Sequence, residues 1–190
     1  MNVVHKDIQI RRATADDAPT LWTMLYYAAQ MSGDLNAALQ QAQQDTMLRN
    51  YVADWGRSSD LGVIAADAST ATHDGAKDVG PLHVGAAWVR MGLGEAWNAH
   101  GYHNQFANGY ETIAAPELAI AVLPTHRNRQ IGQRLLKALI DEARCYYPAI
   151  MLNVRENNPA AHLYQRVGFI TVGKMTNRAG GVSLIMQYDL

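Results

Sequence analysis

The sequence predicts an α/β fold, on three observations. Short apolar segments of strand character alternate along the chain with segments whose apolar residues recur at helical spacing. The 190 residues are 48% hydrophobic and 17% charged, which is typical of a well-filled core and not of a disordered chain. This length suits one compact domain. We therefore expect residues 1–190 to form a single domain.

The composition also limits the partners and the location of the protein. A formal net charge of -1 gives no general positive field, so we expect no nucleic-acid partner. The single cysteine, Cys145, excludes an intrachain disulfide and favours a reducing compartment. The first residues lack a secretory signal, and no run approaches the roughly 18 apolar residues of a membrane span. We expect a cytoplasmic protein without a membrane partner.

The first half of the chain predicts an edge strand, two helices and a pair of strands. Residues 7–12 have strand character, 13–30 have helical periodicity, and a second helix lies within 36–55. Residues 61–66 and 82–91 resemble paired strands that are joined by a polar, glycine-containing connection.

The second half predicts a buried strand, an amphipathic helix and a closing hairpin. Residues 117–123 are apolar after one acidic residue, as expected for a strand buried on both faces. Residues 130–146 place apolar side chains every four positions on one side of a helix. The remaining elements are a strand, a short helix and a hairpin: residues 149–154, 159–167, and 169–172 with 182–188.

Residues 91–116 fit no regular element. Glycines alternate there with aromatic side chains, and a structureless segment of this length is usually functional or disordered. The aromatic content argues against disorder. His100 and His103 lack a third ligand nearby, so we expect no metal site.

The loop after the 117–123 strand has the features of a phosphate-binding turn. The sequence LPTHRNRQIG leads from that strand directly into a helix. Free N–H groups at the helix start, the helix dipole and the side chains of Arg127 and Arg129 would together bind a diphosphate. From this segment alone, a plain strand-to-helix turn with solvated arginines is an equally good interpretation.

The same loop resembles the acetyl-CoA-binding motif of the GNAT acyltransferases, R/Q-x-x-G-x-G/A. Arg127 and Gly132 match the ends of the motif, and Gln130 stands where the first glycine is expected. A glycine there lets the backbone approach a phosphate closely. The main-chain N–H donors survive the substitution.

A second segment, residues 157–169, resembles the pattern N-x-x-A-x-x-L-Y-x-x-x-G-F of the same family, with every named position present. The resemblance implies that Asn157 contacts the coenzyme and that Tyr164 is the general acid that protonates the departing thiolate. Without the family, Tyr164 would be interpreted as core packing and Asn157 as a turn or cap residue.

The resemblance also implies a layout. We expect a mixed, mostly antiparallel sheet of about seven strands with about four helices, splayed between strands 4 and 5. The pantetheine amides would pair with the 117–123 strand like an added strand, and a main-chain N–H near Val122 would stabilise the oxyanion. The implied coenzyme contacts are Ala121, Val122, Arg127, Arg129, Gln130, Ile131, Gly132, Gln133, Asn157 and Tyr164.

The implied activity is transfer of an acetyl group from acetyl-CoA to a primary amine of a small-molecule or peptide acceptor, by direct attack in a ternary complex. The amine must lose a proton. Glu117 is our candidate for the base, because it is the one charge in an apolar run. A solvated strand-edge glutamate is an equally good interpretation, and Glu111 is the competing base.

Two further alternatives stay open. The first is a GNAT-fold binding or sensor domain that holds acyl-CoA without turnover. The second concerns residues 91–116, which would form either a wall over the acceptor site, with Trp97 and Tyr102 in contact with the acceptor, or the interface of a homodimer.

Overall fold

The computed structural model of the chain describes residues 7–74, 77–91, 115–177 and 180–190. Within them lie the strands β1 (Ile8–Arg12), β2 (Leu61–Asp67), β3 (Thr72–Asp74), β4 (Lys77–Val79), β5 (Leu82–Arg90), β6 (Glu117–Val122), β7 (Ala149–Arg155), β8 (Ile170–Thr176) and β9 (Val182–Asp189). The α-helices in the same residues are α1 (Ala18–Ala28), α2 (Leu35–Gln44), α3 (Ile131–Ala143) and α4 (Ala160–Val167).

A seven-stranded sheet forms the centre of the molecule. Its order is β1-β2-β5-β6-β7-β9-β8, and β3 and β4 form a separate two-stranded ribbon. Neighbours in the large sheet are antiparallel, except β6 and β7, which are parallel. These two strands pair at one register position, Glu117 opposite Met151. The predicted mixed sheet, splayed between its fourth and fifth strands, is confirmed.

Helices cover both faces of this sheet. On one face α3 and α4 pack against a core that includes Leu135 of α3 and Ile150 of β7. On the other face α1 packs with Trp88 of β5 and Ala119 of β6. Because side chains alternate between the faces of a strand, Glu117 points to the same face as Ala119, the α1 face.

The strongest periodic pattern in the sequence predicted α3 correctly. The buried residues of this helix include Ile131, Leu135, Leu139 and Ala143, which recur every four positions. The helix ends at Ala143, three residues earlier than the pattern suggested.

Two predicted helices have different bounds in the structure. The segment 13–30 begins with a separate 3-10 turn, Ala15–Asp17, and α1 starts at Ala18 with Pro19 in its first turn, where a missing N–H costs little. In the segment 36–55, the Asp45 carboxylate accepts the N–H groups of Met47 and Leu48, at the start of a 3-10 turn, at 2.8 and 2.9 Å. α2 therefore ends at Gln44, and the turn Leu48–Tyr51 follows.

No helix in the described part of the chain is long and apolar enough to cross a membrane.

Candidate functional site

The splay leaves one edge of β6 open. The Leu123 N–H donates to the Val84 carbonyl at 2.9 Å, so odd-numbered residues of β6 direct their backbone polar groups toward β5. By the same alternation, Ile120 and Val122 direct their N–H and C=O groups into the gap, where no residue of β7 pairs with them in the described register. An extended chain that carries amides can bond to this edge as an added strand.

The two predicted strand contacts are therefore oriented differently. Val122 directs its backbone into the gap. Ala121 lies opposite Ala86 in the register with β5, and its side chain packs in the core on the α1 face. Gly85 permits this close pairing, because a Cβ at that position would lie 2.9 Å from the Ala121 carbonyl oxygen.

The predicted phosphate-binding loop leads from β6 into α3 through a 3-10 turn, Pro124–His126. Asn128 and Gln130 both have left-handed backbone, with φ of 61° and 58°, and Gln130 is the N-cap of α3. The next three N–H groups, of Ile131, Gly132 and Gln133, have no acceptor within the helix. Left-handed residues beside a helix start make a concave group of N–H donors that suits an anion.

Asp67, at the end of β2, ties this loop to the sheet. One carboxylate oxygen accepts the Ser69 hydroxyl at 2.6 Å. The other lies 3.3 Å from His126 Nε2 and 3.7 Å from Arg129 Nη1. These contacts, with the Ser69 bond first, lower the pKa of Asp67 despite its burial. The Arg129 side chain is thus directed at Asp67, whereas Arg127 is exposed.

Packing brings the two sequence motifs together. A Cβ at Gly132, at the start of α3, would lie 3.1 Å from Leu163 Cδ2 of α4 and 4.0 Å from Val122 Cγ2 of β6. The short α4 is closed by Gly168, which has a φ of 117°, and the Phe169 N–H donates to the Tyr164 carbonyl at 3.0 Å. The phosphate-binding loop and the tyrosine helix therefore meet beside the open edge of β6.

Tyr164 is buried on the face that α3 and α4 cover. Its ring makes an edge contact with Phe169, with centroids 5.8 Å apart. Burial raises the pKa of Tyr164, so its hydroxyl is protonated at neutral pH. Asn157 is exposed just after the end of β7, and the neighbouring Asn158 accepts the Ala160 N–H at 2.9 Å, as the predicted cap of this helix.

Glu117 is buried, with 3% of its surface exposed, which contradicts the interpretation as a solvated strand-edge glutamate. Its Oε1 accepts the Tyr51 hydroxyl and the Asn153 side-chain amide, both at 2.6 Å. Its Oε2 is buried and has no hydrogen-bond partner among the described residues. Burial raises the pKa of Glu117 to about 7, while the bonds from Tyr51 and Asn153 act in the opposite direction. We call Tyr51, Glu117 and Asn153 the Glu117 cluster.

Sequence reasoning missed the other two members of this cluster. Asn153 interrupts the apolar β7 strand AIMLNVR, and that interruption is a signal that could have been used. Tyr51 lies 66 residues from Glu117, and nothing in its local sequence indicates the contact.

The remaining predicted residues lie outside the described ones. They are Trp97, His100, Tyr102, His103 and Glu111. In the part of the chain that the structure describes, no three metal-ligating side chains are grouped closely enough to hold a metal ion.

The arrangement suits a reaction that moves protons across a cleft. Burial raises the pKa of the Glu117 carboxyl on the α1 face to about 7, and the protonated Tyr164 hydroxyl lies on the opposite face. The gap between β6 and β7 separates them. The open β6 edge and the N–H groups of the loop can hold an extended, phosphate-bearing molecule in that gap.

Comparison with known proteins points to one family. The family model of the acetyltransferase (GNAT) domain matches residues 88–171, which include β6, α3, β7 and α4. A curated relative, the L-amino acid N-acyltransferase MnaT of Escherichia coli (strain K12), is 36% identical over 61 residues, which are 31% of this chain and 36% of the relative. The match thus spans about a third of the relative's length.

Solved structures share the fold over nearly the whole chain. A spermidine N-acetyltransferase SpeG chimera from Vibrio cholerae and hSSAT has a TM-score of 0.58 and 16% identity, covering 97% of this chain and 96% of that chain. A chain of the NatC complex bound to Gag peptide and CoA has a TM-score of 0.57 and 17% identity, covering 97% and 99%. At such identities the likeness concerns the fold alone.

Proposed function

Because the chain belongs to the GNAT acetyltransferase family, we propose that it transfers an acetyl group from acetyl-CoA to the primary amine of an acceptor. The observation that carries this proposal is the buried Glu117 carboxyl at the start of β6, the strand whose edge opens further along, at Ile120 and Val122. A carboxyl with a pKa of about 7 is half ionised at neutral pH, which suits a general base. A domain that only binds acyl-CoA has no need of such a group.

The coenzyme binds in the gap between β6 and β7. Its pantetheine amides pair with the free backbone groups of Ile120 and Val122, and its diphosphate lies on the N–H groups at the start of α3. Arg127 supplies positive charge from solvent, while Arg129 acts mainly through its backbone because its side chain faces Asp67. Asn157 stands at the same open end of the gap, after the end of β7.

The acceptor amine approaches from the α1 face and attacks the thioester carbonyl directly. A C–N bond forms and the C–S bond breaks, while the Val122 N–H stabilises the developing oxyanion. Glu117 lies at the other end of β6 from Val122, about 16 Å along the strand, and takes the proton of the amine at Oε2 through a chain of waters. Tyr164 gives its hydroxyl proton to the leaving sulfur, so that the products are the N-acetyl acceptor and free coenzyme A.

The charges near Glu117 favour an acceptor that carries a carboxylate. Arg155 lies two residues beyond Asn153 on the same face of β7, about 7 Å along the strand. It is exposed, and its guanidinium donates to the neutral Gln30 Oε1 at 3.3 Å. An amine that faces Glu117 can therefore place a carboxylate at Arg155. A polyamine, the acceptor named for the spermidine acetyltransferase, would instead bring more positive charge to this cation.

The proposal is tested by measuring the free coenzyme A thiol that is released when the protein is incubated with acetyl-CoA and each of a panel of amines. We expect turnover with L-amino acids, formation of the acetylated acceptor by mass spectrometry, and loss of both in Glu117→Gln. The Arg155→Gln variant should raise the KM of an amino acid but not that of the amine obtained by removing its carboxyl group. Binding of acetyl-CoA in calorimetry without turnover on any amine would favour the sensor alternative.

A further inference from the structure

We propose that Tyr51 and Asn153 are positioning residues for Glu117: together they hold Oε1 and thereby select Oε2 as the oxygen that accepts the acceptor's proton. This inference rests on the proposed acyl transfer and adds two residues to its machinery. Neither residue belongs to the motifs that suggested the family.

The geometry of the hydrogen bonds carries the inference. The Tyr51 hydroxyl and the Asn153 amide both donate to Oε1 at 2.6 Å. This distance is typical of a strong O–H bond to an ionised acceptor, and for the N–H donor it is shorter than usual. A carboxylate oxygen has two lone pairs, so both are engaged on Oε1. A proton that arrives at the carboxyl group therefore binds Oε2, the buried oxygen without a partner among the described residues.

The two donors come from opposite sides of the gap. Asn153 lies on β7, which diverges from β6, whereas Tyr51 lies in the 3-10 turn that follows α2. Bonds from both directions fix the carboxyl plane as well as its position. A glutamate with one donor could rotate about its terminal bond and exchange the roles of its two oxygens.

Tyr51 is itself held by two buried side chains of β5. The Trp88 indole N–H donates to the Tyr51 carbonyl at 2.9 Å. Arg90 donates to the carbonyls of Asn50 and Asp54, on either side of Tyr51, at 3.2 and 3.1 Å. The strand adjacent to β6 thus places the tyrosine hydroxyl, which is the behaviour expected of a supporting shell around a reactive group.

The other charges that face Glu117 are compensated. Arg90 lies opposite Glu117 in the register between β5 and β6, and its guanidinium pairs with Asp60 at 3.0 Å. The buried residues of α1 on this face are apolar, and Tyr27 is a partly buried titratable side chain of that helix. Among the described residues, Tyr51 and Asn153 are therefore the groups that favour the ionised form of Glu117.

The proposal predicts a shift in pH dependence. Each donor stabilises the carboxylate, so Tyr51→Phe or Asn153→Ala should raise the pKa of Glu117 by about one unit. The acidic limb of the kcat/KM profile should move to higher pH by the same amount, and the ionised fraction at pH 7 should fall from about one half to about one tenth. The plateau at high pH should keep most of its height, whereas general structural damage would lower the plateau without moving the limb.

A matched control is Tyr26→Phe. That tyrosine also donates its hydroxyl, to the Gly33 carbonyl at 3.0 Å, but it has no hydrogen bond to Glu117. We expect the limb of this variant to coincide with that of the wild type.

A readout that does not depend on activity separates this inference from the proposed function. In ¹³C NMR of protein labelled at its glutamate carboxyl groups, the Glu117 signal is assigned by its loss in Glu117→Gln and then titrated. Upward shifts in Tyr51→Phe and Asn153→Ala, with none in Tyr26→Phe, support the positioning role. An unmoved titration in both variants overturns it even if the enzyme is active, and a wild type without turnover on any amine overturns the acyl transfer instead. If Tyr51→Phe does not fold, Asn153→Ala still tests the proposal, because Asn153 is exposed and its replacement should leave the fold intact.

Discussion

Replacing Glu117 by glutamine removes the proposed base while keeping the shape of the side chain and an oxygen for Tyr51 and Asn153. Loss of a positioned general base should lower kcat by about 10²- to 10⁴-fold, with little change in the affinity for acetyl-CoA. Stopped assays at saturating acetyl-CoA measure the first quantity and calorimetry the second. Near-full turnover in Glu117→Gln, with chemistry shown to limit the rate, would refute the assignment of the base.

The same substitution should increase stability, because burial disfavours the ionised carboxylate. The pKa of Glu117 in the folded protein is about 7, against 4.5 for the free group, and this difference corresponds to about 3 kcal/mol. Since the pKa is raised on folding, the stabilising contribution of the wild-type residue is complete below pH 4.5 and is lost as the pH rises through 7.

Urea unfolding at several pH values tests this linkage. Wild type and Glu117→Gln should have similar free energies of unfolding below pH 4.5. The variant should then become more stable by about 3 kcal/mol above neutral pH. As a control we suggest Glu142→Gln, which replaces a partly exposed glutamate that lies 3.7 Å from Arg12. A stability difference independent of pH would mean that Glu117 is not held in the way the structure describes.

Three further substitutions test the coenzyme site and the fold around it. Tyr164→Phe keeps the ring contact with Phe169 and should lower kcat by about 10²-fold with little change in coenzyme affinity; a kcat equal to that of wild type would remove Tyr164 as the acid. Arg127→Ala should lower the affinity for coenzyme A about tenfold in calorimetry. This is the lower range for a charged hydrogen bond, because the side chain is exposed. An unchanged affinity in the double variant with Arg129→Ala would mean that the motif match is accidental. Gly85→Ala should cost about 1–3 kcal/mol of stability, because its Cβ would lie 2.9 Å from the Ala121 carbonyl. A control is Gly80→Ala, whose Cβ meets nothing within 4 Å; an equal loss in the two variants would contradict the argument from close packing.

The elements that the sequence predicted best are those whose pattern is set by burial alone. The apolar positions of α3 recur with the helical period because one side of the helix packs on the sheet. The helix expected within 36–55 is broken for a reason that such patterns do not contain. There a single carboxylate, Asp45, accepts two backbone N–H groups and starts a new turn.

The coenzyme contacts and the surroundings of Glu117 also differ in how far local sequence can predict them. The proposed coenzyme contacts lie mostly on two contiguous segments, 127–133 and 157–169, so a local motif can indicate them. The surroundings of Glu117 come from Tyr51 and Asn153, which are 66 and 36 residues away. Sequence reasoning could select this glutamate as an acidic residue in an apolar run, but its burial and its raised pKa depend on contacts that only the folded sheet creates.

The departure at Gln130 shows how the fold can override a local preference. The family motif has glycine there, and glycine adopts positive φ without steric cost. Gln130 nevertheless has a φ of 58°, which costs a residue with a Cβ about 1–2 kcal/mol. The flanking contacts of Asp67 with His126 and Arg129 hold the loop on one side, and on the other side the Arg134 N–H donates to the Gln130 carbonyl at 3.1 Å. These contacts offset the cost, so the concave set of N–H groups is kept without the glycine.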